Sequence, residues 1–358
     1  GQLMPPVMGA AAFLMAEFVG VPYFDVVKAA TIPALLYFLG IWLGVHFEAR
    51  RSNLKGVPRS ELPKPWEILK ERGHLAIPLI VIIYLLVSGF TPMRAALWAI
   101  VLAIAASSLR KSTRMKPVEI VRGLENGARN VLGVLVACAS AGIIIGVVTK
   151  TGVGLKLASA LLDLSGGMLL PTMFFTMITS IILGMGVPTT ANYVITSTIA
   201  APALVQMGVP VLAAHMFVFY FGIIADVTPP VALAAFAGSA ISGGKPLKTG
   251  INASKLAIAA FIIPYIFVLS PVVLMIDATP ISLITVLVTS IIGMIGLSAS
   301  MIGCLVKPLN GLERVMLFVG GLLMIQPGLV TDLVGFLLLA SVLFFQQRRS
   351  KAEASSLG

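Results

Sequence analysis

GMGVPTTANYVITSTIAAPALVQMGVPVLAAHMFVFYFGIIADVTPP, residues 184–230, is an apolar stretch interrupted twice by residues that break a helix. At the first interruption, Gly184-Met185-Gly186-Val187-Pro188-Thr189-Thr190, two glycines free φ, a proline withdraws a backbone donor and two hydroxyls offer oxygen. The second is Asp226-Val227-Thr228-Pro229-Pro230. In hydrocarbon an unpaired backbone group costs several kcal/mol, so interruptions persist only where protein buries them or where they line a cavity. Two of them this close together predict a site.

The rest of the chain has the composition of a membrane protein. Its 358 residues are 58% hydrophobic and 11% charged, with a mean hydropathy of +1.03, whereas soluble domains carry about 25% charged residues. Apolar runs approach the roughly 20 residues that cross a bilayer as helix, and alternating strands of about 10 residues are missing. The expected fold is therefore all-α, a polytopic helical bundle. The net charge of +11 is spread over short loops between apolar runs, where it sets orientation and does not argue for nucleic acid. Cys138 and Cys304 lie in apolar segments without metal-ligand spacing and read as core residues. A GxxxxGK[ST] loop, a Ser-His-Asp arrangement and HExxH are all missing, so neither an enzyme nor a bound cofactor is expected.

Pro5-Pro6 falls on Pro229-Pro230 at an offset of 224 residues, and Val7, Gly20, Pro22 and Ala29 then fall on Val231, Gly244, Pro246 and Ala253. Chance likeness between alanine-rich segments is the alternative. A double proline inside an apolar run is uncommon enough to favour an internal repeat.

In order, residues 31–47 read as a membrane helix and 48–73 as a basic linker carrying Arg50, Arg51, Lys55, Arg59, Lys64, Lys70 and Arg72, which places it in the cytoplasm. Residues 75–89 and 92–109 form a helical pair. Residues 116–130 read as an interfacial amphipathic helix before the apolar 131–149. Segments 168–183 and 193–207 flank the GMGVPTT break and are each short for a crossing. A re-entrant hairpin explains this better than two kinked helices. The expected division is 1–47, the remainder of a first repeat; 48–73, the linker; 74–130, scaffold helices and interfacial arm; 131–278, a second repeat with hairpin and broken helix; 279–345, additional helices; and 346–358, a cytoplasmic tail. An odd number of crossings separates the loop after Pro5-Pro6 from the loop at Lys245, Lys248 and Lys255, so the repeats are expected to be inverted. The first of these loops, with Glu17, Asp25 and Lys28, agrees in charge.

Two breaks lined with hydroxyls and an amide offer hard oxygen ligands beside the negative ends of half-helices, which suits a cation. Candidates are Thr189, Thr190, Asn192 and Thr228, with unwound backbone at Gly186 and Val187. A lone Thr in a membrane helix more often bonds back to its own helix, but clustering at two breaks favours ligation. Asp226 is either an ion ligand or a structural carboxylate paired with a helix N-terminus. His215 reads as interfacial in preference to a proton relay, and Glu17 as a solvated loop residue.

The segments GMGVPTTANYVITSTIAAPAL, DVTPPVALAAFAGSAISG, PPVMGAAAFLMAEFVGVPY and AGIIIGVVTKTGVG together resemble the large membrane subunit of tripartite ATP-independent periplasmic (TRAP) transporters over roughly residues 1–275. The chain looks most like fused permeases that work with a periplasmic substrate-binding protein of the TAXI type, with the small membrane subunit joined upstream. The resemblance implies an elevator-type secondary transporter in the inner membrane. Sodium ions would lie at the hairpin tips, with Asp226 among the ligands, and an organic anion, expected to be a carboxylate, would lie between them against Pro6, Gly9, Thr190, Asn192 and Pro230. The family pattern places a first hairpin tip before Pro5-Pro6, which makes this chain read as a C-terminal fragment of a longer polypeptide. One charge entering down about 100 mV yields about 2.3 kcal/mol, roughly fifty-fold accumulation, so sodium coupling is energetically sufficient. A stand-alone sodium:carboxylate symporter and a non-transporting membrane scaffold are the alternatives.

Overall fold

A computed structural model describes residues 1–5, 8–54 and 56–356. Among these residues there is no strand, only an isolated bridge between Cys304 and Pro308. The chain is an all-α polytopic membrane protein. Four of its helices are long and apolar enough to cross a bilayer, Tyr23–Arg51, Pro246–Leu269, Pro280–Ile302 and Leu329–Arg348.

α1 (Ala10–Val19) ends on left-handed Gly20, and α2 (Tyr23–Arg51) follows from Pro22, a residue pre-set for a helix start. α2 is longer than the expected 31–47. Its first two turns absorb Asp25 and Lys28, which pair at 3.2 Å, and its last turn absorbs Arg50 and Arg51. Glu17 is exposed as expected but stands on α1, not in a loop. The basic linker contains α3 (Pro65–Arg72). α4 (Ile77–Val87) and α5 (Pro92–Ser108) then pack on each other as the expected pair.

α6 (Pro117–Thr151) corrects the expectation of an interfacial helix ending at residue 130 and a separate span from 131. No proline or turn chemistry stands between Asn130 and Val131, so the change from polar to apolar surface happens along one continuous helix. Gly152, at φ +67°, ends it, and α7 (Val153–Leu164) leaves at 70° to the last turns of α6.

α8 (Leu169–Gly184), α9 (Thr189–Ile199) and α10 (Ala201–Gln206) carry the first break, and α11 (Val211–Ile224) leads to the second. Every face of α11 is apolar, which is the pattern of a helix enclosed on all sides. Accordingly Met216, Phe217, Phe219, Tyr220 and Phe221 are all buried, among α1, α8, α9, α10 and α14. Phe217 stacks edge-on with Phe221 at 4.7 Å, and Tyr220 does so with Phe267 at 5.5 Å.

Beyond the second break come α12 (Leu233–Ser242), α13 (Pro246–Leu256) and α14 (Ile258–Leu269). α13 and α14 form one 24-residue span, so Lys248 and Lys255 sit on helix and not in the expected loop. The backbone from Met8 and the backbone from Ala232 resemble each other. Met8 (φ +44°) and Ala232 (φ +38°) are both non-glycine residues in the left-handed region, each soon followed by a ten-residue helix and a left-handed glycine, Gly20 or Gly243. Such residues cost about 1–3 kcal/mol and persist where the surroundings over-determine them.

α15 (Pro280–Ile302), α16 (Gly311–Leu323) and α17 (Leu329–Ser356) complete the chain. The residues expected as a tail from 346 onward continue α17 as far as Ser356. Glycines bring these helices into backbone contact: a Cβ on Gly293 would lie 2.8 Å from Gly321 O, and one on Gly335 2.8 Å from Gly320 O. α15 packs on α2, α13 and α14. Gly40 of α2 leaves room there for Ala259, and Ser298 Oγ reaches Gly40 O at 3.5 Å.

Candidate functional site

The first break is a tight turn between two half-helices. Val187 N–H donates to Gly184 O at 3.4 Å, Gly186 adopts φ +72°, and Pro188 caps α9. Helix resumes at Thr189, earlier than the expected 193, because a proline costs nothing at a helix start where its absent N–H would have been unpaired. Thr189, Thr190 and Ala191 therefore present the free N–H groups of a first turn, the electropositive end of a helix dipole. The facing end of α8 presents carbonyls, the electronegative end. One tip thus offers a place for an anion beside a place for a cation.

Asn192 joins the two breaks. Its Nδ2 donates to Gly222 O of α11 at 2.8 Å, while its Oδ1 is buried without a hydrogen-bond partner. The amide fits only because both neighbours are glycine. A Cβ on Gly184 would lie 2.6 Å from Asn192 Nδ2, and one on Gly222 would lie 2.8 Å from the same atom. Gly184 also faces Ala225, the first residue of the second break. A buried amide oxygen without a donor loses about 1–3 kcal/mol relative to a satisfied one, and a hard cation satisfies it.

The other candidates are placed as follows. Thr189 Oγ1 donates to Gln2 Oε1 at 2.8 Å, and Gln2 lies against Gly9, so the tip reaches the N-terminal break. Leu14 of α1 packs with Val187, Ala191 and Val194 in the same region. Thr190 is buried in the first turn of α9. Thr228 Oγ1 donates to Ile224 O at 2.8 Å, the helix back-bond weighed from sequence, which leaves its lone pairs for a ligand. Asp226 lies half-buried in the short turn Ala225–Val227 and makes no ion pair among the described residues. Pro230 is exposed, and its bond to Pro229 is cis. Pro6 lies outside the described residues. Ser254 of α13 holds the break from behind, donating to Val227 O at 3.1 Å.

Sequence reasoning missed Gln2 and Gly222 as site neighbours, and named Gly184 only as part of the break. It also read His215 as interfacial. His215 Nδ1 and Tyr193 OH share a 2.7 Å hydrogen bond between α11 and α9, Tyr193 being the residue after Asn192.

Half-helices meeting head to tail beside a broken helix, inside a polytopic bundle, are the arrangement found at the binding sites of secondary transporters. The family model described as tripartite ATP-independent periplasmic transporter, DctM component, matches residues 1–282, and the chain belongs to that family. It is accordingly a multi-pass protein of the inner membrane and the large component of a TRAP-type secondary transport system, in which DctM components work with a substrate-binding protein and a small membrane subunit. No curated protein and no solved structure matches the chain.

Proposed function

We propose that this chain couples sodium entry to import of an organic anion, a carboxylate, delivered by a periplasmic binding protein of the TAXI type. The buried, donorless Oδ1 of Asn192 supports this reading most strongly, because it sits where the carbonyl end of α8 meets the end of α11. Sodium would take Asn192 Oδ1, the hydroxyl oxygens of Thr189, Thr190 and Thr228, and carbonyls at Gly186 and Val187, with Asp226 adding charge nearby. The anion would lie on the N–H groups of Thr189 and Thr190, with Asn192, Gly9, Pro6 and Pro230 forming its surround. In this reading the two double-proline breaks belong to inverted repeats that move against a scaffold. In the same reading the small subunit is fused upstream, which α15–α17, lying almost wholly beyond the family match, support.

The test is uptake by the full-length protein in proteoliposomes with an inward sodium gradient. Asn192→Leu should abolish gradient-driven uptake while the protein still inserts. Uptake should require the added binding protein. Uptake without it would establish a stand-alone symporter, and an unimpaired Asn192→Leu variant would refute the site.

A further inference from the structure

A second built site lies where α2 and α15 end, far in sequence from the hairpin tip. Two adjoining cavities of about 260 Å³ and 820 Å³ open where α2 and α15 end and α16 begins, and Arg51 lines both. Their walls hold Arg50, Arg51, Lys255, Lys307 and Arg314 against a single carboxylate, Glu48. Arg314 donates from Nε to Ser300 O at 2.9 Å and from Nη2 to Met301 O at 3.2 Å. Arg51 donates to Ile302 O at 3.4 Å and to Glu48 Oε1 at 2.8 Å.

Two guanidiniums thus cap the carbonyls left over at the end of α15. Each guanidinium has five N–H groups and is held in a fixed orientation with donors remaining. Capping that helix end uses Arg51 and Arg314, and among the described residues neither Arg50 nor Lys255 has an acidic partner at salt-bridge distance. The surroundings indicate what the excess charge would meet. Trp42, 62% exposed and stacked on His46 at 5.8 Å, stands two turns before Arg50, where an indole marks the bilayer interface. Leu312 and Val315 expose apolar surface on either side of Arg314 in the sequence of α16.

We infer that this basic double cavity binds the phosphate headgroup of an anionic glycerophospholipid, with the acyl chains running down the exposed faces of α2 and α16. Basic pockets between membrane helices recognise such headgroups, each cation near the surface contributing roughly five-fold in affinity. The inference does not depend on the sodium reading of the hairpin tip.

The test is native mass spectrometry of the detergent-solubilised full-length protein titrated with phosphatidylglycerol or phosphatidylcholine. The parent should retain phosphatidylglycerol preferentially. Arg50→Gln with Lys255→Gln, which leaves both helix-capping arginines in place, should weaken that binding roughly thirty-fold and leave phosphatidylcholine unchanged. Should the pair fail to fold, either single substitution should cost about five-fold. Lys245→Gln with Lys248→Gln removes the same charge outside the cavities and should leave lipid binding intact. Equal loss in that control, unchanged affinity in the Arg50/Lys255 pair, or displacement of the lipid by excess inorganic phosphate would each overturn the assignment.

Discussion

Asn192 has one half of its amide committed to Gly222 and the other half free, and both neighbours are glycines that a methyl group would displace. Gly222→Ala should therefore push the amide out of register at a cost of about 1–3 kcal/mol, and sodium-driven uptake should fall far more than the thermal stability measured alongside it. At Thr228 the hydroxyl proton goes to Ile224 O, so any ligand role rests on the oxygen alone. Thr228→Val should raise the sodium concentration for half-maximal uptake by roughly ten- to hundred-fold, and Thr228→Ser should spare it. Identical sodium dependence in both variants would mean a back-bond and nothing more. Thr189, Thr190 and Asn192 were legible from the chain because the break itself marks them. Gly222 and Gln2 were not, since what a glycine or a glutamine touches is decided by segments tens or hundreds of residues away.

Among the helices, one side chain ties α17 to the segment that leads into α16. Gln346, buried in α17, accepts from the N–H groups of Val306 and Lys307 at 3.1 Å each and donates to Glu313 Oε2 at 3.1 Å. Gln346→Ala leaves two backbone donors unsatisfied, at about 1–3 kcal/mol for each group, while Glu313 Oε2 keeps the N–H of Asn310. A clear drop in unfolding temperature in detergent is expected, while Gln347→Ala, at the exposed neighbouring position, should leave it unchanged. Helix existence was readable from hydropathy at nearly every span, but ends were less so. α2 and α6 each run past the expected limits because polar side chains at a membrane boundary do not stop a helix unless a proline, a left-handed glycine or a cap accompanies them. Gly152 supplies such a stop and Asn130 does not.

For the molecule as a whole, the basic linker after α2 and the loop around Lys111 are expected on the cytoplasmic side. A cysteine placed at Ser60 should stay unlabelled by an impermeant thiol reagent in intact cells and react once the membrane is opened. Strong labelling in intact cells would reverse the orientation. The attachment of α15 to α2 and α14 bears on speed. With Gly40 seated against Ala259 and Ser298 bonded to Gly40 O, the last three helices are fastened to the body that carries the break-flanking helices. If that body slides during a cycle, these helices are towed through the lipid with it, widening the moving perimeter and adding viscous drag. Turnover should then slow as the acyl chains of the host membrane are made more saturated, even with the sodium gradient and the substrate supply held constant.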